Sequence, residues 1–133
     1  MQKVIDPRRQ RWMPYVRKIA DIYGLKDWIL EVDNDGPTDR LASASIYCTP
    51  GRKYGYIRLS QYFLDENSND QRLAIVHELT HCHTHMAHSF GTDHLISDET
   101  KATFTTLLEY GIDGIAVAIA SFFPLPSIEH RGA

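Results

Sequence analysis

Two histidines and a glutamate stand together in His77-Glu78-Leu79-Thr80-His81, after Leu73, Ala74, Ile75 and Val76, whose bulk suits a buried helix. Side chains four apart on a helix share one face, a turn apart, so the His77 and His81 imidazoles can converge on one ion. Imidazole suits zinc, and Glu78 is placed to take a proton from a water that the metal activates. The spacing points to hydrolysis at a zinc ion. Two histidines that merely share a helix face are the plain alternative.

A hydrolytic zinc site uses three protein ligands and keeps a fourth position open. The extended HExxHxxGxxH pattern would need glycine where this chain has Thr84 and histidine where it has Ala87, so that form of third ligand is excluded. His88 lies about 16 Å from His77 along a helix axis, too far for one ion, and His83 points about 200° away from His81. His85 shares the face of His81 and is a candidate to line the cleft or contact substrate. If a following helix turns back near Asp98, its levels opposite His77 and His81 fall near residues 105 to 109, at about 1.5 Å per residue. Glu109 is the carboxylate in that window. Asp113, one turn on, could accept a proton from the non-coordinating nitrogen of a ligand histidine. Both acids interrupt the apolar stretch Leu107 to Phe123, where an unpartnered buried carboxylate would be costly. Glu99 ranks second, because a helix dipole already explains an acid in a first turn; Asp93 and His94 rank third. Gly111 and Gly114 flank Asp113 at a cost of about 1 kcal/mol each against alanine, which close approach of two helices would explain.

The elements that must position these residues can be traced in order. Asp6-Pro7 starts a helix over residues 7–23, with Trp12, Tyr15, Val16, Ile19, Ile22 and Tyr23 at helical spacing and Gly24 as its stop. Pro14 kinks it or marks a later start. Arg8, Arg9, Arg11, Arg17 and Lys18 read as its solvated face. Trp28 to Val32, Leu41 to Cys48 and Tyr54 to Leu59 read as strands of a small, mostly antiparallel sheet, with turns at Asp33 to Pro37 and at Thr49 to Arg52. The first turn has a calcium-loop flavour, but Ala44 stands where such a loop needs its bidentate glutamate. Asn69 or Asp70 caps a helix over about 71–88, a loop runs from Ser89 to Ser97, and Ser97 or Asp98 caps a last helix that halts at Pro124 and Pro126. The tail from Ser127 to Ala133 reads as loose. The fold class expected is α+β: one minimal domain over 1–133, its core at about 7–124, ending in two helices that carry the ligands.

Length and composition agree with a single globular domain. The 133 residues are 43% apolar and 23% charged, with a net charge of −3, which lacks the basic excess of a nucleic-acid binder. The N-terminus has no secretory pattern, and the apolar run Gly114 to Phe123 is about half a membrane span. Two cysteines, Cys48 and Cys82, are too few for a disulfide scaffold. These features lead us to expect a cytoplasmic protein with reduced thiols and no membrane partner.

The chain resembles the zincin metallopeptidases of the glutamate-ligand type, most closely the compact ImmA/IrrE-type domain. Tyr56-Ile57-Arg58-Leu59 resembles the family's edge strand, Arg72 to His81 its helix entry and motif, and Glu109-Tyr110-Gly111-Ile112-Asp113 with Ile115 and Ala116 its second metal-site segment. Departures are Leu79-Thr80 for the commoner Leu-Gly, Ile115 for phenylalanine, and Ser121-Phe122-Phe123-Pro124 at the close. The resemblance implies a zinc peptidase acting on a protein substrate, often a regulatory one.

On the residues themselves, the expected reaction has His77, His81 and Glu109 holding Zn2+ and Glu78 acting as the proton carrier. Tyr54, Tyr56 and His85 are the candidates for an oxyanion or substrate contact, and an extended peptide is expected to add beside Tyr54 to Leu59. A zinc module that binds a protein partner without catalysis, and a regulatory protein with no metal, are the rival readings.

Overall fold

In a computed structural model of the protein, which describes residues 4–94 and 97–127, helices pack on one face of a three-stranded sheet. The tail beyond Ser127 lies outside the described residues. The first helical segment is divided: α1 spans Pro7–Gln10, Arg11 and Trp12 form a turn, and α2 spans Met13–Ile22. Pro14 sits in the first turn of α2, where its missing N–H costs nothing, so it marks a start rather than a kink. Gly24 closes α2 at φ +77°, a left-handed conformation that lets the Leu25 amide reach back to the Ala20 carbonyl at 2.9 Å.

The arginines of this region are not all a solvated face. Arg9 donates from Nε to the Leu59 carbonyl at 2.7 Å. Arg17 donates to the carbonyls of Trp28 and Leu25 at 2.7 and 2.8 Å. Both use the fork of guanidinium donors to satisfy backbone acceptors at strand ends, so α1 and α2 are tied to the sheet. Ile22, expected to be apolar contact surface, is instead exposed.

Strands β1 (Ile29–Val32), β2 (Ala44–Cys48) and β3 (Tyr54–Leu59) lie in the order β1-β3-β2. The β2–β3 pair is an antiparallel hairpin with Ile46 opposite Ile57, turned at Gly51 with φ +72°. β1 pairs β3 in parallel, with Val32 beside Ile57. The sheet is therefore mixed, because the long connection of residues 33–43 carries the chain past β1's neighbour position to the far edge. Gly55, Ile57 and Leu59 face the core, and Tyr54, Tyr56 and Arg58 face away.

A short α3 (Gln61–Leu64), unforeseen in the sequence, is capped by the Ser60 hydroxyl and buries Phe63 and Leu64. α4 spans Ser68–His94 and α5 spans Asp98–Ile119, followed by a 3₁₀ turn at Ala120–Phe122. The α4 cap is Asn67, ahead of the expected Asn69 or Asp70: its Oδ1 accepts the Asp70 amide at 2.9 Å while its Nδ2 reaches the Asp70 carboxylate. The expected loop from Ser89 is helical as far as His94, with Leu95 and Ile96 outside the described residues. Gly91 permits that extension, since a Cβ there would come within 2.4 Å of the Phe104 ring. Close approach of α4 and α5 occurs at Gly91. Around Gly111 and Gly114 an added Cβ meets nothing within 4 Å, so the packing account of those two glycines is overturned.

The core joins Val16 and Ile19 of α2, Leu30 and Val32 of β1, Ile57 and Leu59 of β3, Phe63, and Ile75, Val76 and Leu79 of α4. The apolar residues that flank the HExxH motif are thus the central layer of the molecule.

Candidate metal centre

α4 carries the motif with one face in the core. Ile75, Val76, Leu79 and Thr80 are buried, and Thr80 is held twice, its Oγ1 donating to the Val76 carbonyl at 2.8 Å and meeting the Tyr23 hydroxyl at 2.7 Å. These contacts fix the rotation of the helix. Its opposite edge then turns His77 and His81 toward α5, ring centroids 5.3 Å apart.

Glu109 bridges the two histidines. His77 Nε2 lies 2.7 Å from its Oε1, and His81 Nε2 lies 3.2 Å from its Oε2. Asp113 Oδ1 lies 3.5 Å from His77 Nδ1, at the outer edge of a hydrogen bond and on the ring nitrogen opposite the one that meets Glu109. The antiparallel helix pair brings both acids to the pair of imidazoles. The burial argument that singled them out does not hold, however: the Glu109 and Asp113 side chains are 49% and 64% exposed. Glu109 is reached because of its level along α5, not because solvent is excluded from it.

Glu78 is different. It is buried, with Oε2 3.8 Å from His77 Nε2, and burial pushes its carboxyl well above the usual carboxylate range, with the charge of Glu109 adding to the effect. Burial also lowers the His81 imidazole, against the pull of Glu109. A neutral imidazole is the form that ligates a metal.

Ligand atoms of His77, Glu78 and His81 lie within 4.8 Å of one another, so the group could hold a metal ion. The donor chemistry fits a zinc-like ion better when Glu109 is included. Tetrahedral bonds of about 2.0–2.1 Å put neighbouring donor atoms about 3.3 Å apart; the His81–Glu109 contact of 3.2 Å matches that, and the His77–Glu109 contact of 2.7 Å is shorter and would have to open by about 0.6 Å to admit an ion.

A cleft of about 350 Å³ opens beside this centre, lined by Ser43, Ala44, Glu66, Asp70, Leu73, Ala74, His77 and Glu78. Its floor includes the start of β2, an edge strand. β3 is central, with both sides paired, so no peptide can add beside Tyr54 to Leu59. Tyr54 and Tyr56 also lie away from the histidines. Tyr54 Oη donates to Glu31 Oε2 at 2.8 Å, and the Tyr56 ring meets Tyr47 on the sheet face opposite the core. The period-two alternation of β3 turns both rings away once Ile57 points inward. His85 is on the site's side of α4 but meets the Thr49 carbonyl at 3.2 Å. Glu99 falls in the first turn of α5, ten residues before Glu109, and meets neither histidine. Ala44 and Ser43, which line the cleft, were missed; only the pairing of β2 on the outer edge reveals them.

Among the described residues, one helical stretch, Asp98–Phe122, is long and apolar enough to cross a membrane by length and composition. The expectation of no such stretch rested on Gly114 to Phe123 alone; the threonines, alanines and leucines before it extend the window. Glu109 and Asp113 sit midway along it, at the histidines.

No protein-family model matches the chain, and no curated protein or solved structure matches it either.

Proposed function

We propose that the protein is a zinc-dependent peptidase of the zincin type. The observation that carries this reading is the Glu109 carboxylate spanning His77 Nε2 and His81 Nε2 while Glu78 lies buried beside them. His77, His81 and Glu109 would hold the ion, and bound zinc supplies Lewis acidity to a water and to the scissile carbonyl. Asp113 orients the His77 ring through Nδ1, fixing which nitrogen faces Glu109. Glu78 takes the proton of the attacking water and passes it to the leaving amine, a role supported by its place beside His77 on the wall of the cleft. The cleft lies against β2, whose outer edge is unpaired among the described residues, so an extended peptide hydrogen-bonding to Ala44–Cys48 would cross in front of Glu78.

The test is a peptide-library digest followed by mass spectrometry. Glu78→Gln is expected to keep zinc and lose about 10²–10⁴-fold in cleavage rate. Equal cleavage by the variant rules the mechanism out. Zinc retained with no cleavage by the wild type favours a non-catalytic zinc module.

A further inference from the structure

The cleft beside the histidines carries two acids that the reaction above does not use. Glu66 lies just ahead of α4 and Asp70 in its first turn, and both line the cleft together with His77 and Glu78. Asp70 and His77 stand two turns apart on one face of α4, about 10 Å along its axis. Leu73 and Ala74 line the cleft as well and give it an apolar wall. Among the described residues neither acid forms an ion pair, whereas Asp33 and Asp65 pair with Arg58 and Arg8. The Asp70 carboxylate meets the neutral Asn67 amide at 2.8 Å. The Ser43 hydroxyl is buried on the same cleft, near the Glu66 carboxylate, without closing a hydrogen bond to any described group. Burial raises the Glu66 carboxyl above its usual range and the charge of Asp70 adds to this, as two like charges with no cation between them do.

We infer that Glu66 and Asp70 form the subsite that selects a basic side chain, lysine or arginine, in a peptide lying across Glu78; the assignment deepens the peptidase reading and rests on it. The aliphatic stem of such a side chain suits the wall of Leu73 and Ala74, and its charged head meets both carboxylates. An ammonium or guanidinium has donors enough for the two acids and for the Ser43 oxygen at once. A glutamate in that place would meet like charge. A methionine would cover the apolar wall but leave the acids unpaired. At about 3.3 Å per residue of extended chain, 10 Å is about three residues, so the selected position falls within about three residues of the bond that is cut.

The experiment has a cleavage arm and a binding arm, both on the full zinc-loaded chain. In the peptide-library digest, one position near the cut should be enriched in lysine and arginine. Peptides with lysine there should show kcat/KM about 10-fold or more above those with methionine. Glu66→Gln combined with Asp70→Asn should bring that ratio close to one. Asp70→Lys should turn the preference toward glutamate, which a merely structural role would not do. Cleavage without a basic preference, or a preference that survives the double variant, would overturn the subsite and leave the peptidase reading standing. For the binding arm, Glu78→Gln is titrated with fluorescent alanine hexapeptides carrying one central lysine, methionine or glutamate, and anisotropy is read. Lysine should bind most tightly, by about the same margin, and lose that margin when Glu66→Gln and Asp70→Asn are added. That result with no cleavage by the wild type would keep the subsite and sink the peptidase reading. Equal binding of the three peptides would overturn the subsite.

Discussion

The two helices that meet at the candidate metal centre are held in opposite ways. α4 is the spine of the core: Ile75, Val76, Leu79 and Thr80 are buried along the stretch that displays His77 and His81. α5 buries only Ile112 and Ala116, and leaves Leu107, Tyr110 and Val117 in solvent. It is fastened at its two ends: Phe104 lies close over Gly91 near its start, and beyond its far end Tyr15 Oη donates to the Pro124 carbonyl at 2.8 Å, Arg72 donates to the Phe123 carbonyl at 3.0 Å, and Phe123 packs on Tyr23. The imidazoles are thus preset by packing, whereas the carboxylates depend on a helix whose middle is lightly held. A ligand joining Glu109 to the histidines would lock that middle in place, which is how metal binding becomes folding energy.

The sharpest way to break this contrast is to truncate one leucine on each helix. Leu79→Ala should cost about 2–5 kcal/mol through cavity formation, and Leu107→Ala should stay within about 0.5 kcal/mol, both read by denaturant unfolding. Equal costs would mean that α5 is as deeply held as α4.

The anchor at the end of α5 is tested through pH. Burial pushes the Tyr15 phenol up to about 12, opposed in part by Arg72. The folded state keeps the proton that the unfolded chain gives up near pH 10. The stabilisation is therefore complete below about pH 10 and is lost as pH rises toward 12, by about 2–3 kcal/mol at 1.36 kcal/mol per unit. Tyr15→Phe should remove this portion of the alkaline loss; parallel curves for the two proteins would contradict it.

The smallest effect concerns the loose middle of α5. Gly111→Ala and Gly114→Ala should each stabilise the protein by about 0.5–1 kcal/mol, because alanine gains helix propensity and its methyl meets no neighbour. A lowered melting temperature would show that something packs closely there.

Much of α4 was legible because its signals are local. The HExxH spacing, the apolar run before it and a cap near its start all lie within one segment, and a tertiary core merely confirms them. Glu109 was legible by level, since rise per residue fixes which position on an antiparallel neighbour faces which. The burial argument added for it fails, because periodicity cannot say how much of an apolar helix finds a partner. What failed was non-local. That β3 lies between β1 and β2 depends on a crossing that no turn residue announces. The helical stretch after Ser89 hides behind Gly91, which reads as a loop until Phe104 is seen above it.

The most direct measurement is the zinc content of untagged protein, taken by plasma mass spectrometry for the wild type, His77→Ala and Glu109→Gln. A single zinc ion per chain is expected in the wild type, none in His77→Ala, and weaker retention in Glu109→Gln. A wild type that binds no zinc, or one whose zinc survives His77→Ala unchanged, would contradict a shared centre built from α4 and α5.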